Sequence, residues 1–155
     1  MNYNNVIMLD FDGVIITYRT QIMDFKLNYW GAIDPVATQF LHNICKEGNI
    51  SIVVSSSWRA NKDACFNKLK EANLFQFLHS DWQTEQSEEG RGVQIDNWLK
   101  AHPEVKEYII LDDVDYDMLP DQIKNNHFIL CDSVDGMEYE AMKKVKKWAD
   151  KIKGS

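Results

Sequence analysis

The chain has 155 residues, about the size of one domain, and we expect residues 1–155 to form a single domain. A hydrophobic content of 45% is typical of a globular protein, and the net charge of −7 argues against broad electrostatic binding to nucleic acid. No apolar run approaches the ~20 residues of a membrane span, and we find no signal-peptide pattern. The three scattered cysteines indicate buried thiols rather than disulfides. We therefore expect a cytoplasmic protein without a membrane segment or an obligate protein partner.

Four short apolar runs are typical of strands buried on both faces, at residues 6–9, 50–54, 108–111 and 128–130. Helical patterns lie between them and at the C-terminus, and the first of these helices begins at Asp34-Pro35. The segment 80–90 is polar and predicts a loop. This alternation predicts an α/β fold, a Rossmann-like three-layer sandwich with a mainly parallel sheet. Ligands bind at the carboxyl ends of such strands, where each apolar run here meets polar residues.

Two carboxylates, Asp10 and Asp12, directly follow the first strand, and Gly13 permits a sharp turn away from the sheet. Aspartate is poorly suited to strand interiors, and an uncompensated buried charge is costly. The pattern therefore indicates a functional pair, although a turn with two exposed aspartates is the alternative.

Three serines and Trp58-Arg59 follow the second strand. Hydroxyls and backbone N–H groups at a strand-to-helix turn form a phosphate cradle. Arg59 could add a forked cation that, with Ser56 and Gly13, binds substrate. A helix cap made by one of the serines is the alternative.

Two adjacent carboxylates, Asp112 and Asp113, follow the third strand and suit a hard cation such as magnesium. The loop continues with Asp115 and Asp117 but lacks the glycine and the closing glutamate of an EF-hand. Arg91 opens a helix, where a bound anion would explain a cation that gains nothing from the helix dipole. A surface arginine is the alternative.

In this order the motifs resemble those of the haloacid dehalogenase-like (HAD) phosphohydrolase superfamily. The stretch LDFDGV resembles motif I, VVSSSWR motif II, Arg91 motif III and LDDVDYD motif IV. The stretches SSSWR, RGVQIDNWL and YIILDDVDYDM resemble more closely the compact HAD domains of RNA-repair and polynucleotide kinase-phosphatase proteins. Motif III of the superfamily is often a lysine, so Lys100 or Lys106 could replace Arg91 in that role.

The resemblance implies that Asp10 attacks phosphorus and that Asp12 acts as the general acid and base. Magnesium would be held by Asp10, the Asp12 carbonyl and Asp113, with Asp112 close by. Ser55 would hold the phosphoryl oxygens, and Arg91 would neutralise charge on the phosphate and on Asp10. The implied function is a magnesium-dependent phosphatase that hydrolyses phosphomonoesters through an aspartyl-phosphate.

The inserts between the motifs are too short for a large cap domain, so we expect an open site. Such a site suits a phosphate at a nucleic acid terminus or on a nucleotide. Trp30, Trp58 and Trp82 could stack on a base, although packing is the more frequent role of tryptophan. The lysines of the C-terminal helix could contact phosphates, although a solvated face is the more frequent role of such a pattern.

Other functions remain open. A phosphotransferase would pass the aspartyl-phosphate to an alcohol, and a non-catalytic or regulatory HAD-like module would bind without turnover. A receiver domain is disfavoured because its phosphoacceptor ends a middle strand, whereas we expect the middle strand here to end in serines. A P-loop kinase is excluded, since the chain has no G-x-x-x-x-G-K-[ST] motif.

Overall fold

The computed structural model describes residues 3–23 and 31–154 and contains one five-stranded sheet. The spatial order is β3-β2-β1-β4-β5, and every neighbouring pair is parallel. The strands are β1 (Asn5–Leu9), β2 (Ser51–Val54), β3 (Leu78–Gln83), β4 (Glu107–Asp112) and β5 (Phe128–Leu130). The four predicted strands are therefore present, and the prediction of a parallel sheet is confirmed.

Helices connect the strands, as parallel pairing requires. They are α1 (Tyr18–Met23), α2 (Pro35–Gly48), α3 (Lys62–Glu71), α4 (Arg91–Ala101), α5 (Pro120–Lys124) and α6 (Tyr139–Lys153). Helix α2 begins where the sequence predicts, because the Asp34 carboxylate accepts hydrogen bonds from the Val36 and Ala37 amides and Pro35 occupies the first helical position. It ends at Asn49, which adopts the left-handed conformation.

Strand β1 is buried on both faces and separates two apolar cores. Its Ile7 and Leu9 face a core shared with α2, α3 and α6. Its Val6 and Met8 face a second core, to which α4 contributes Ile95 and Trp98. Because side chains alternate along a strand, one short apolar run serves both cores. The three-layer sandwich is confirmed.

Two features of the fold differ from the predictions. Residues 80–83, predicted as part of a polar loop, belong to the edge strand β3, in which His79 is buried while Ser80 and Asp81 are exposed. An edge strand is covered incompletely, so it carries no continuous apolar run and resembles a loop in sequence. The short helices α1 and α5 were also not predicted, because one or two turns show little periodicity.

The middle strand is β1, which ends at Leu9 and is followed by Asp10, and not β2, which is followed by the serines. The expectation that the middle strand ends in serines is therefore wrong, and so is the argument against a receiver domain that depended on it. The order of the strands along the chain did not reveal their order in the sheet, because β4 crosses over to pair with the free edge of β1.

The described residues between the motif-bearing strands form no cap domain. All three cysteines are buried and free, as predicted. Among the helices that the structure describes, none combines the length and the apolar character that a membrane span requires.

Candidate active site

Strands β1, β2 and β4 bring Asp10, Ser55 and Asp112 to one end of the sheet. The register pairs Leu9 with Val54 on one side and with Leu111 on the other. The ladder extends one residue further, since the Asp10 amide donates to the Leu111 carbonyl and the Ser55 amide donates to the Leu9 carbonyl. The backbone positions of these side chains are therefore fixed by sheet hydrogen bonds.

Three carboxylates converge at this end of the sheet. Carboxylate oxygens of Asp10, Asp112 and Asp113 lie within 4.8 Å of one another, and Asp10 and Asp112 are buried. Like charges this close are stable only when a cation or a proton offsets them. The predicted acidic cluster therefore exists and requires compensation.

Gly13 lies where the first motif turns beneath Asp113. Its φ of +75° is in the left-handed region, and a Cβ at this position would collide with the Asp113 carboxylate. Its amide donates to the Ile16 carbonyl. The structure thus explains the glycine by the turn and the close approach of Asp113, and it adds no support for the predicted contact with substrate.

Arg91 supplies a cation at the cluster. Its Nη1 atom lies 2.5 Å from Asp112 Oδ2 and 3.3 Å from Asp10 Oδ1. The alternative Lys100 lies in the last turn of the same helix and pairs with Asp96 at 2.7 Å, whereas Lys106 is exposed and lies at the amino end of β4. Arg91 is therefore the motif III candidate that reaches the carboxylates.

The loop after β4 holds the N-terminus of α4 in place. Asp117 Oδ2 accepts a hydrogen bond of 3.0 Å from the Arg91 amide. Gly92 packs so closely on this loop that a Cβ would lie 2.6 Å from the Leu119 nitrogen. In the sequence, Asp117 stands out only as part of an acidic run, with no indication of its role. The structure shows that it positions Arg91.

The serine turn, Ser55 and Ser56, lies beside Asp10. The Ser56 side chain lies close enough to Asp10 to lower the pKa of that carboxyl, and its hydroxyl accepts a hydrogen bond of 3.3 Å from the Trp58 amide. The Ser55 hydroxyl is buried and has no hydrogen-bond partner among the described residues. Buried hydroxyls are normally paired, so this one, at the carboxyl end of the sheet, is available to bind a ligand.

Arg59 is buried beneath the serine turn. Its Nη1 donates to the carbonyls of Ser55 and Ser56 at 2.5 and 2.7 Å, and its Nη2 donates to Gln94 Oε1 at 2.6 Å. Gln94 in turn donates to the carbonyls of Ser87 and Glu89. Arg59 thus ties the turn to α4, and this geometry does not support its predicted contact with substrate.

Trp58 has a different contact from the base stacking considered for it. Its indole Nε1 donates a hydrogen bond of 3.0 Å to Asp12 Oδ2. Trp82 packs edge-on against Phe66, with ring centroids 4.9 Å apart. Trp30 lies outside the described residues. The motif strings SSSWR and RGVQIDNWL contain both Trp58 and Gln94, but nothing in the sequence indicated their partners.

Burial raises the pKa of Asp10 above its usual range, and the Asp112 carboxylate raises it further, against the opposing effect of Arg91. Burial also raises the pKa of Asp112, again opposed by Arg91. One arginine therefore does not compensate the three carboxylates fully. A second cation at the cluster would remove this cost.

The donor set fits a hard divalent cation. It consists of carboxylate oxygens alone, which are the ligands that such ions prefer, and Asp113 is the member that Arg91 does not contact. The unpartnered Ser55 hydroxyl lies at the end of the neighbouring strand. The residues present therefore suit a metal ion beside an oxyanion.

The sequence was compared with known protein families, curated proteins and solved structures. It matches the family described as HAD domain in Swiss Army Knife RNA repair proteins over residues 6–142. No curated protein and no solved structure matched the chain. The family match spans all five strands and every motif described above. The chain therefore belongs to the family of HAD domains found in Swiss Army Knife RNA repair proteins and has the fold of a phosphatase-type hydrolase.

Proposed function

We propose that this protein is a magnesium-dependent phosphomonoesterase that forms an aspartyl-phosphate on Asp10. The observation that carries the proposal is the position of the Asp10 carboxylate, which lies 3.3 Å from Arg91 Nη1, beside the acidic cluster and next to the serine turn. The proposed nucleophile, a cation and the serine turn, which is available to bind phosphoryl oxygens, thus lie next to one another. The family match supports the same class of reaction.

In the first step, a carboxylate oxygen of Asp10 forms a bond to phosphorus while the bond from phosphorus to the leaving oxygen breaks. Asp12 donates a proton to that oxygen, and the alcohol departs. In the second step, water attacks phosphorus, Asp12 takes the proton of the water, and the bond between phosphorus and Asp10 breaks. Inorganic phosphate leaves and the Asp10 carboxylate is restored.

The other residues bind and orient the phosphoryl group. The Ser55 hydroxyl would donate to a phosphoryl oxygen, which would give that buried group the partner it lacks. Arg91 would offset charge on Asp10 and on the phosphate. Trp58 holds the Asp12 carboxylate in one orientation, which favours a proton transfer of fixed geometry.

Magnesium, when bound, would offset the repulsion between the anionic nucleophile and the anionic substrate. Asp10, the Asp12 carbonyl and Asp113 would hold it, with Asp112 close by. Asp112 accepts a hydrogen bond of 2.5 Å from Arg91, so it would hold the guanidinium group at the acidic cluster.

We propose the terminal phosphate of a nucleic acid, or that of a nucleotide, as the substrate. The described residues form no cap over the site, so a large molecule can present its end to Asp10. The RNA-repair family of the chain agrees with such a substrate. Tyr116, in the loop that follows Asp113, is 87% exposed and offers an aromatic surface to a terminal base.

A phosphate-release assay tests this proposal. The panel contains an aryl phosphate, nucleotides, and RNA and DNA oligonucleotides with 5′- or 3′-phosphates, each with magnesium and with chelator. We expect release that needs magnesium, that the Asp10→Asn variant lacks, and that is fastest on one class of oligonucleotide end.

Two other outcomes would replace the proposal. Transfer of phosphate to an added alcohol in preference to water would make the protein a phosphotransferase. Absence of release from the whole panel, by a folded protein that binds magnesium, would favour a non-catalytic HAD-like module.

A further inference from the structure

A groove lies at the end of the sheet opposite the carboxylates. Its volume is about 530 Å³, and its wall includes the first residues of β4 and β5, Glu107 and Phe128. The other wall is the C-terminal half of α6, which contributes Lys144, Lys147 and Lys151. These lysines are three and four residues apart, so they lie on one face of the helix.

The lysines of α6 fall into two sets. Four of the six form ion pairs, namely Lys143 with Glu140, Lys146 with Asp150, Lys151 with Glu107 and Lys153 with Glu47. Lys144 and Lys147 form no ion pair with any residue that the structure describes, and both line the groove. The uncompensated charge of α6 is therefore concentrated at the groove.

Trp148 supplies a further polar group at the same place. It lines the groove, and its indole Nε1 is buried without an acceptor in the described part of the chain. A buried donor without a partner is unusual, and the two exposed lysines without an acidic partner add local positive charge to a protein with a net charge of −7. An anion in the groove would pair with both lysines.

The spacing favours an extended anion over a single phosphate. Residues 144 to 151 span about 10 Å along the helix axis, at 1.5 Å per residue. Lys151 completes the row, because its ion pair with Glu107 is long, at 3.6 Å, and its side chain is 72% exposed, so its ammonium group can also reach an anion in the groove. We infer that the groove binds the phosphodiester backbone of a single-stranded RNA, as a second contact remote from the active site. The identity of this ligand rests on the proposed function.

Binding of a fluorescent RNA oligonucleotide without terminal phosphates tests the inference. The protein carries Asp10→Asn, and the buffer contains chelator, so that neither turnover nor magnesium contributes. Two double variants are compared, Lys144→Gln with Lys147→Gln and Lys143→Gln with Lys146→Gln, which change the net charge equally on the same helix. Thermal melts establish that both remain folded, since exposed ion pairs contribute little to stability.

We expect the groove variant to bind about 25-fold more weakly at 0.1 M salt, and the control variant to bind almost as the parent does. Each lost contact with a single strand removes about 0.7 from the slope of log K against log salt, so the slope should fall by about 1.4 for the groove variant alone. Equal losses in the two variants would overturn the inference, because general charge would then explain them.

Competition with inorganic phosphate distinguishes a site for the phosphodiester backbone of RNA from a site for a small free phosphate. We expect it to displace RNA only through ionic strength, as chloride does. Displacement by millimolar phosphate at matched ionic strength would overturn the inference in favour of a small-anion site. Hydrolysis of an aryl phosphate by the wild-type protein tests the proposed function separately, so that either idea can fail while the other stands.

Discussion

The Trp58 indole nitrogen donates a hydrogen bond of 3.0 Å to Oδ2 of Asp12, and this bond links the second motif to the first. Trp58 belongs to a short 3-10 turn after β2, whereas Asp12 follows β1. The bond therefore orients the proposed general acid from a neighbouring strand.

Replacing Trp58 by phenylalanine should lower kcat for substrates with poor leaving groups. A hydrogen bond to a charged group contributes about 1.5–3 kcal/mol, so we expect a loss of about tenfold to a hundredfold on alkyl phosphates. Aryl phosphates with good leaving groups need less protonation and should be affected less. The comparison of kcat across a leaving-group series measures the effect.

Trp82→Phe is the matched control, because Trp82 is also partly buried but packs against Phe66 instead of reaching Asp12. It should leave the leaving-group dependence unchanged. The same loss on aryl and alkyl phosphates in Trp58→Phe would contradict a role through Asp12.

Gln94→Leu should weaken phosphate binding without touching substrate directly. Gln94 accepts from Arg59, which holds the carbonyls of the serine turn, so its loss frees the turn to move. We expect the KM and the inhibition constant of inorganic phosphate to rise about tenfold, with a smaller change in kcat. Gln94→Glu keeps the acceptor for Arg59 but loses the donor to the Ser87 and Glu89 carbonyls, so it should restore only part of the phosphate affinity.

Gln122→Leu is the control for general destabilisation. Gln122 is buried and also makes two hydrogen bonds to backbone groups, but neither reaches the serine turn. If it raises the phosphate inhibition constant as much as Gln94→Leu does, the effect is not specific to the link through Arg59.

Magnesium should raise the melting temperature. The buried carboxylates repel one another, and a metal at 100 times its Kd stabilises by about 2.7 kcal/mol. For a chain of this length that corresponds to about 5–11 °C relative to chelator. Asp113→Asn should melt higher than the wild type in chelator, because one repulsive charge is gone, and should lose most of the magnesium shift.

Asp115→Asn removes an exposed aspartate of the same loop that lies outside the cluster. It should keep the full magnesium shift. A shift that survives Asp113→Asn undiminished would place the metal elsewhere.

Asp34 should make stability depend on acid pH. Although burial by itself would raise its pKa, hydrogen bonds from Arg19 and from the Ala37 amide hold the pKa of Asp34 below its ordinary value of 3.8. A group with a lowered folded pKa stabilises the protein fully above its unfolded pKa and loses that contribution as pH falls through the folded pKa. Its contribution is therefore present at pH 7 and declines below about pH 4.

Asp34→Asn isolates this charge, because asparagine also caps a helix. We expect a loss of about 1 kcal/mol at pH 7, mostly the ion pair of 2.7 Å with Arg19. The gap between variant and wild type should narrow in urea unfolding at pH 3. A gap independent of pH would show that the ionised carboxylate contributes nothing.

Much of the fold was predictable because its strands are buried on both faces. A strand such as β1 is apolar at each fully buried position, here residues 6–9, and such a run is visible in the sequence. The edge strand β3 was missed for the opposite reason, since its exposed residues follow no apolar run. Spatial order was also missed, because β1 pairs with β4 across a long stretch of chain.

The candidate site also has a part that was predictable from the sequence and a part that was not. The acidic pairs and the serine turn were predictable, because polar groups directly after buried strands must lie at the carboxyl end of a parallel sheet. The residues that hold these groups in place were not predictable. Gln94 and Asp117 lie 35 and 26 residues from the groups that they hold, Arg59 and the Arg91 amide. Such contacts depend on how α4 and its neighbouring loops pack, which no local pattern encodes.

By itself, the sequence determined the fold class, the family resemblance and the residues that carry the proposed chemistry, because each depends on local patterns of burial and charge. Only the tertiary structure decided that Arg91 is the cation that reaches Asp10. It also showed that Arg59 and Trp58, considered as substrate contacts, donate hydrogen bonds to the Ser55 carbonyl and to Asp12. It also divided the lysines of α6 into paired and unpaired sets. The sequence gives the charge of each side chain, but its partner depends on which side chains the packing of the fold brings within bonding distance.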